Sequence, residues 1–299
     1  MTPHANVERR WPRDRSGNEG KSNLQIYDAA EVAAHYSALD YLSPCEKMLF
    51  DAFLKPGGAL LDLGVGGGRT TPYLAGLASR YVGVDYAPNM VAACQHKFPR
   101  LEFRVADATD LSLFDDQSFD AVVMAFNGMD YVIPDAARRS CLGELRRVLK
   151  NEGVLIFSSH NPRAIFLRPG WNRKKVEDLA RRLAGTREWL YGPSERILLW
   201  LRVVAAVGRA SASSLLRLLR RGFRRAFWLG EGYMVDPAHG GLTTHYAVPA
   251  RVIAELEGKG FRFLRMCGDD YPRQSGIYVT DWYYYVFQRA ETAAGSTCT

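Results

Sequence analysis

Cysteine is sparse in this chain, and none is spaced as a metal ligand or a disulfide partner would be. Cys45, Cys94, Cys141, Cys267 and Cys298 stand far apart, form no C-x-x-C pair and are odd in number. That argues against a disulfide framework or a structural zinc site and suits a reducing cytoplasm. No uninterrupted apolar run reaches the roughly 20 residues of a membrane-spanning helix. The start of the chain, with Glu8, Arg9, Arg10, Pro12 and Arg13, lacks the apolar stretch of a secretion signal. General basicity is absent too, although the net charge is +7. Residues 161–230 hold 16 Lys+Arg against 4 Asp+Glu, a local +12, so the remainder is net acidic. At 299 residues the chain can form one large α/β domain with an insertion, or two small domains.

What is present is organised around residues 59–71, ALLDLGVGGGRTT. Ala59, Leu60, Leu61 and Leu63 suit a buried parallel strand, and Gly64, Gly66, Gly67 and Gly68 allow a sharp turn that a ligand can approach closely. A dinucleotide fingerprint would place its third glycine at position 69, where Arg69 stands. The pattern is D-x-G-x-G-x-G instead, from Asp62 through Gly64 and Gly66 to Gly68. A second strand, 81–85, ends in Asp85, 23 positions after Asp62, where a carboxylate can accept both hydroxyls of a ribose. A third, 101–107, ends in Asp107.

These three acids and the glycine turn resemble the class I S-adenosylmethionine-dependent methyltransferases, of the small-molecule type found in ubiquinone and menaquinone biosynthesis. The resemblance covers about 24–160 and 245–289. It implies an α/β fold with a doubly wound seven-stranded sheet, mostly parallel with the last strand antiparallel. It also implies S-adenosylmethionine as cofactor and S-adenosylhomocysteine as product. The glycine turn would pass under the methionine part, with Asp62 helping to place its amino group. Asp107 and Ala108 would border the adenine, and Met90 would pack on it. Tyr27 and Tyr36, on an N-terminal helix pair, are candidate lid contacts; Tyr86, Phe126 and Asn127, beside the strand ends, complete the expected cofactor set.

Periodicity and breakers supply the remaining elements. One helix is expected from an Asp28 N-cap through Leu39, with others at 44–54, 87–98, 134–150 (closed by Asn151-Glu152-Gly153) and 249–258. Further strands are expected at 119–126, 154–159, 261–266 and 277–288. Residues 1–22 and 290–299 read as disordered tails. Residues 162–244 read as a helical cap inserted over the acceptor site.

Methyl transfer from a sulfonium is an in-line displacement that needs no metal, and none is expected. A hydroxyl acceptor benefits from a base of near-neutral pKa, which points to His160 and His245, with Asp130 as an orienting carboxylate. Two histidines favour O- over N-methylation. The aromatic tetrad of adenine-N6 enzymes, the cysteine of cytosine-C5 enzymes and the two-glutamate loop of protein arginine enzymes are all missing. A small-molecule or lipid-linked acceptor remains. Residues 214–229 set Leu215, Leu219, Phe223 and Phe227 on one helical face against five arginines, a pattern that could lie on an anionic membrane through residues 197–229. Stacking aromatics among these arginines are few, which argues against nucleic acid. The competing readings are a non-catalytic cofactor-binding scaffold, a membrane-surface or RNA-binding module, and a nucleotide-dependent oxidoreductase.

Overall fold

The short apolar runs of the first half of the chain become parallel strands, and those at 59–63, 80–85 and 119–124 each lead into a helix before the next strand. In the computed structural model the described residues are 22–166, 201, 204, 228–236, 242–274, 276–277 and 280–291. The strands are β1 (Ala59–Leu63), β2 (Arg80–Asp85), β3 (Glu102–Val105), β4 (Phe119–Met124), β5 (Leu149–His160), the ribbon pair β6 (Glu231–Asp236) and β7 (Leu242–Ala247), then β8 (Phe261–Gly268) and β9 (Trp282–Arg289). The helices are α1 (Asn23–Tyr27), α2 (Ala30–Ser37), α3 (Pro44–Phe53), α4 (Thr71–Leu77), α5 (Pro88–Lys97), α6 (Asp135–Val148), α7 (Pro162–Phe166) and α8 (Pro249–Glu257).

Seven strands form one sheet in the order β3-β2-β1-β4-β5-β9-β8, and β6 pairs only with β7. The sheet is the mostly parallel one that the sequence implies; β9 alone runs against its neighbours, pairing antiparallel with both β5 and β8. Alternate side chains leave opposite faces of a strand, so each face carries its own core. Leu61, Val82, Val122, Phe157 and Tyr285 meet Leu142 and Leu145 of α6 and Val252 and Leu256 of α8. Leu60, Val123, Ile156 and Val286 meet Leu49 and Phe50 of α3, Leu74 of α4 and Val91 of α5. Each large apolar side chain fully buried in this way contributes about 1.5–3 kcal/mol, which makes the sheet a rigid platform for the loops at its edge.

Two local expectations are corrected, and a third is not reached by the described residues. The N-terminal helix is two helices: Ser22 caps α1 in a capping box with Gln25, and Asp28 is no N-cap. Asp28 follows α1 and accepts from the Asn89 amide at 2.8 Å, tying the lid to α5. Asn151-Glu152-Gly153 does not close α6. The strand β5 begins at Leu149, and the turn residues form an irregularity in its pairing with β4, Glu152 having φ +58°. Finally, the helical cap over 162–244, the basic helix 214–229 and the membrane-contact segment 197–229 lie largely outside the described residues; the described C-terminal end of that insertion is the β6–β7 ribbon. Most of the two expected tails, 1–21 and 292–299, lies outside as well. Among the described residues no helix is long and apolar enough to cross a membrane.

Candidate active site

A cavity of about 450 Å³ opens at the carboxyl ends of β1, β2 and β4, within the size range of small-molecule sites. The glycine turn forms its floor. Gly64 and Gly66 line it with φ of +70° and +55°, a region that side-chain-bearing residues adopt at a cost. Gly67 is constrained differently. A Cβ there would lie 2.2 Å from the Ser37 amide nitrogen and 2.3 Å from the Tyr36 carbonyl carbon, because the end of α2 rests on the turn. Gly67→Ala is expected to displace α2, costing about 1–3 kcal/mol of stability since a backbone contact cannot be relieved by a rotamer change. Thermal melting, with calorimetry of cofactor binding, checks this. Gly68 does not line the cavity; the space beside it is taken by Phe98 and Cys94.

Asp62, expected at the ligand, is not among the lining residues. Its Oδ2 accepts from the Thr70 hydroxyl at 2.8 Å and the Tyr81 phenol at 2.9 Å, so it braces the turn from beneath. Burial pushes its pKa up to about 6. A folded-state pKa raised above the unfolded one gives stability that is complete below about pH 4 and lost as pH rises through about 6. Asp62→Asn, which keeps an acceptor oxygen, should therefore flatten this decline and gain on the order of 2–3 kcal/mol at neutral pH. Urea denaturation of both proteins from pH 4 to 7.5 measures it.

Asp85 does line the cavity. Its Oδ2 accepts from the Gly66 amide at 2.9 Å and Oδ1 from the Ala87 amide at 3.0 Å, which fixes the carboxylate and leaves lone pairs free for a diol. Burial again raises the pKa, to about 6, against the pull of these amides. Asp107, Ala108, Met90 and Tyr86 line the neighbouring wall. The buried Tyr86 phenol oxygen has no hydrogen-bond partner among the described residues, as suits a group that awaits a ligand.

The cavity wall opposite the glycine turn draws on two distant parts of the chain. Tyr27 and Tyr36 of the N-terminal helices line the cavity, as expected, together with Ser22, Asn23 and Thr243. The Asn23 carboxamide donates to the Thr243 carbonyl at 2.8 Å and accepts from the Thr243 amide at 3.0 Å, clasping the edge of β7 to α1. Nothing in the sequence marks this pair, which is 220 positions apart. Arg69, visible in the sequence only as a break in the dinucleotide pattern, also lines the cavity. It forms a buried bidentate pair with Glu46 of α3 (2.5 and 2.7 Å), donates to the Tyr41 carbonyl at 2.9 Å and lies 5.0 Å from the Phe126 ring centre. Tyr284 of β9 donates to the same Glu46 at 2.8 Å. The arginine thus ties α3 and the far sheet to the turn.

At the end of β4 two successive non-glycine residues, Phe126 and Asn127, have φ of +56° and +63°. Such strain persists only where surrounding contacts hold it. Here the Asn127 amide donates to the Ser158 hydroxyl at 2.7 Å. Phe126 faces the cavity; Asn127 is turned away from it, toward His160. Asp130 follows on a 3-10 turn, Gly128–Tyr131, and accepts from the Ser159 hydroxyl (2.7 Å), the His160 amide (2.6 Å) and His160 Nδ1 (2.8 Å). With Nδ1 as donor, His160 Nε2 is an acceptor, and it lies 3.1 Å from the Asn127 carboxamide nitrogen. The His160 ring sits among Tyr246, Tyr131 and Trp282, centroids 5.1–6.4 Å away. Tyr131 lines the cavity, so this pair adjoins it through one side chain.

His245 is not part of that pair. It points into the ribbon, with Nε2 3.2 Å from Glu231 and its ring against Tyr233, and burial lowers its pKa. Of the three candidates, Asp130 and His160 are brought together and His245 is set apart, outside the cavity lining.

Comparison with known proteins bears on the cavity half of the chain. Residues 60–153 match the family described as a methyltransferase domain. A demethylmenaquinone methyltransferase of Clavibacter sepedonicus is 37% identical over 120 residues, 39% of this chain and 47% of that protein. A ubiquinone biosynthesis O-methyltransferase of Xanthomonas axonopodis pv. citri is 32% identical over 129 residues, 41% of this chain and 52% of that one. The chain thus spans about half the length of these curated relatives. An S-adenosylmethionine-dependent methyltransferase from Methanosarcina mazei superposes with a TM-score of 0.54 at 18% identity, covering 85% of this chain and 100% of that one. One from Mesorhizobium loti gives 0.53 at 18% identity, covering 88% and 100%. These two share the fold.

Proposed function

We propose, on the premise that residues 60–153 are a class I S-adenosylmethionine-dependent methyltransferase domain, that the protein methylates a ring hydroxyl of a small quinol-like acceptor. The observation that carries this reading is the Asp130–His160 pair beside the cavity, at the sheet edge where ligands of open α/β sheets bind. The fit of the cofactor rests on Asp85 with its free lone pairs, the unpartnered Tyr86 phenol and the glycine floor. When bound, the cofactor supplies an electrophilic methyl group on sulfur.

The chain's own residues do the rest. Asp130 holds the Nδ1–H form of His160; its Nε2 lone pair, which accepts from the Asn127 carboxamide in the empty site, takes the acceptor's proton once the acceptor hydroxyl has replaced that amide and its oxygen attacks. Rings of Tyr131, Tyr246 and Trp282 around His160 suit a planar acceptor, and the names of the curated relatives refer to quinones. Alignment of oxygen and methyl with water excluded supplies much of the acceleration. The test is incubation of lysate with protein and isotopically labelled cofactor, followed by mass spectrometry for products heavier by one methyl. Label on the hydroxyl of an aromatic product supports the reading; label on amines alone, or no cofactor binding by calorimetry, overturns it.

A further inference from the structure

Four tyrosines and one phenylalanine form a continuous wall from the glycine turn to the end of β4. Tyr36 lies over the turn, its Cδ1 3.7 Å from where a Cβ on Gly66 would stand. Its ring centre is 6.0 Å from Tyr27 and 6.4 Å from Phe126. Tyr27 in turn meets Tyr86 at 6.2 Å and Tyr131 at 5.4 Å, and every one of these contacts is edge-on, with ring planes 60–84° apart. All five side chains line the same cavity. Rings packed edge to face around a hollow turn some of their electron-rich faces inward, and such faces attract a cation that has shed its water. Burial keeps the Tyr27 and Tyr36 phenols neutral, so no phenolate competes. The Arg69 guanidinium lies over Phe126, and Glu46 neutralises it. That leaves the tyrosines as the surface for a second cation.

We propose that Tyr27, Tyr36 and Tyr131 form an aromatic box that recognises the positive charge of a sulfonium and thereby distinguishes the charged cofactor from its neutral thioether product. This rests on the methyltransferase reading, which supplies the ligand. The two ligands differ by one methyl group and one charge. Contacts to their shared adenosine and amino-acid parts affect both alike, and a cation–π contribution affects only one. The consequence is product release: transfer of the methyl removes the charge that the box holds, and the spent cofactor is bound less tightly.

Isothermal titration of S-adenosylmethionine and S-adenosylhomocysteine against the full chain and its variants tests this without any acceptor. Tyr27→Leu and Tyr131→Leu are each expected to weaken the sulfonium ligand by about 3- to 30-fold, while the thioether changes by less than about 2-fold. Tyr27→Phe, which keeps the ring face, should preserve the wild-type ratio. The thioether also serves as the folding control, since a variant that binds it normally has an intact cavity. Equal weakening of both ligands in the leucine variants, or loss of the ratio in Tyr27→Phe, overturns the box and leaves the methyltransferase reading standing. Failure of the wild-type chain to bind either ligand overturns both.

Discussion

Asp85→Ala is expected to lower the affinity for S-adenosylmethionine by about 100-fold or more. The carboxylate is held rigidly by the Gly66 and Ala87 amides, so its remaining lone pairs point where a ribose diol can donate to them. Two hydrogen bonds to an ionised acceptor are together worth roughly 3 kcal/mol. The effect should follow pH as well. With its pKa raised to about 6, Asp85 is ionised at neutral pH and takes up its proton as pH falls through that value, and wild-type affinity should decline over the same range. Stability runs the other way. The buried carboxylate stabilises the empty fold most below about pH 4 and least above 6, so its ionised form is a burden carried for binding. Removing it should weaken the ligand far more than the fold. Calorimetry from pH 5 to 8 decides the matter: unchanged affinity in the variant, or tighter binding of a nicotinamide dinucleotide, would falsify the assignment.

His160→Ala should reduce turnover by about 10²- to 10⁴-fold, the usual contribution of a positioned general base, with cofactor affinity nearly unchanged because the ring does not line the cofactor cavity. Asp130→Asn should act through the same ring. An asparagine oxygen can still accept from the His160 amide and Nδ1, but it lacks the negative charge that stabilises the ring once the ring has taken the acceptor's proton. Its turnover should therefore fall toward that of the alanine variant even though His160 is intact. His245→Ala, in the ribbon and away from the pair, should leave most turnover in place. Single-turnover kinetics with the acceptor identified by mass spectrometry distinguishes these outcomes. Near-normal turnover in His160→Ala and His245→Ala alike would turn the reading to an amine acceptor, which needs no base once it arrives unprotonated.

The cavity wall at the ends of β1, β2 and β3 was legible because it depends on local chain chemistry. A buried strand must end somewhere, and a glycine or an acid at that end announces itself within a few residues, as Gly64, Asp85 and Asp107 do. Met90 and Ala108 came from the family resemblance, and both line the cavity. Asp62 shows the limit of this reasoning. Its position in the pattern was right, but its partners, Thr70 and Tyr81, turn it inward, and side-chain direction is not written in spacing. The Asp130–His160 pair was named residue by residue without a sign that the two touch, since that depends on how β4 and β5 register and on the 3-10 turn between β4 and α6. Arg69 with Glu46 and Asn23 with Thr243 were illegible. Both are long-range pairings of residues that look like ordinary surface chemistry until the fold brings them together.

The reversed direction of β9 brings the end of the chain to the ligand edge of the sheet. Parallel strands deliver their last residues to the ligand edge, whereas an antiparallel strand delivers its first. Trp282, which opens β9, therefore reaches His160 from the final portion of the chain, while the glycine floor, Asp85, Met90 and Asp107 of the cavity all precede β4. Substitutions after β4, in the ribbon and at the start of β9, can alter the surroundings of His160 without touching the glycine floor or Asp85.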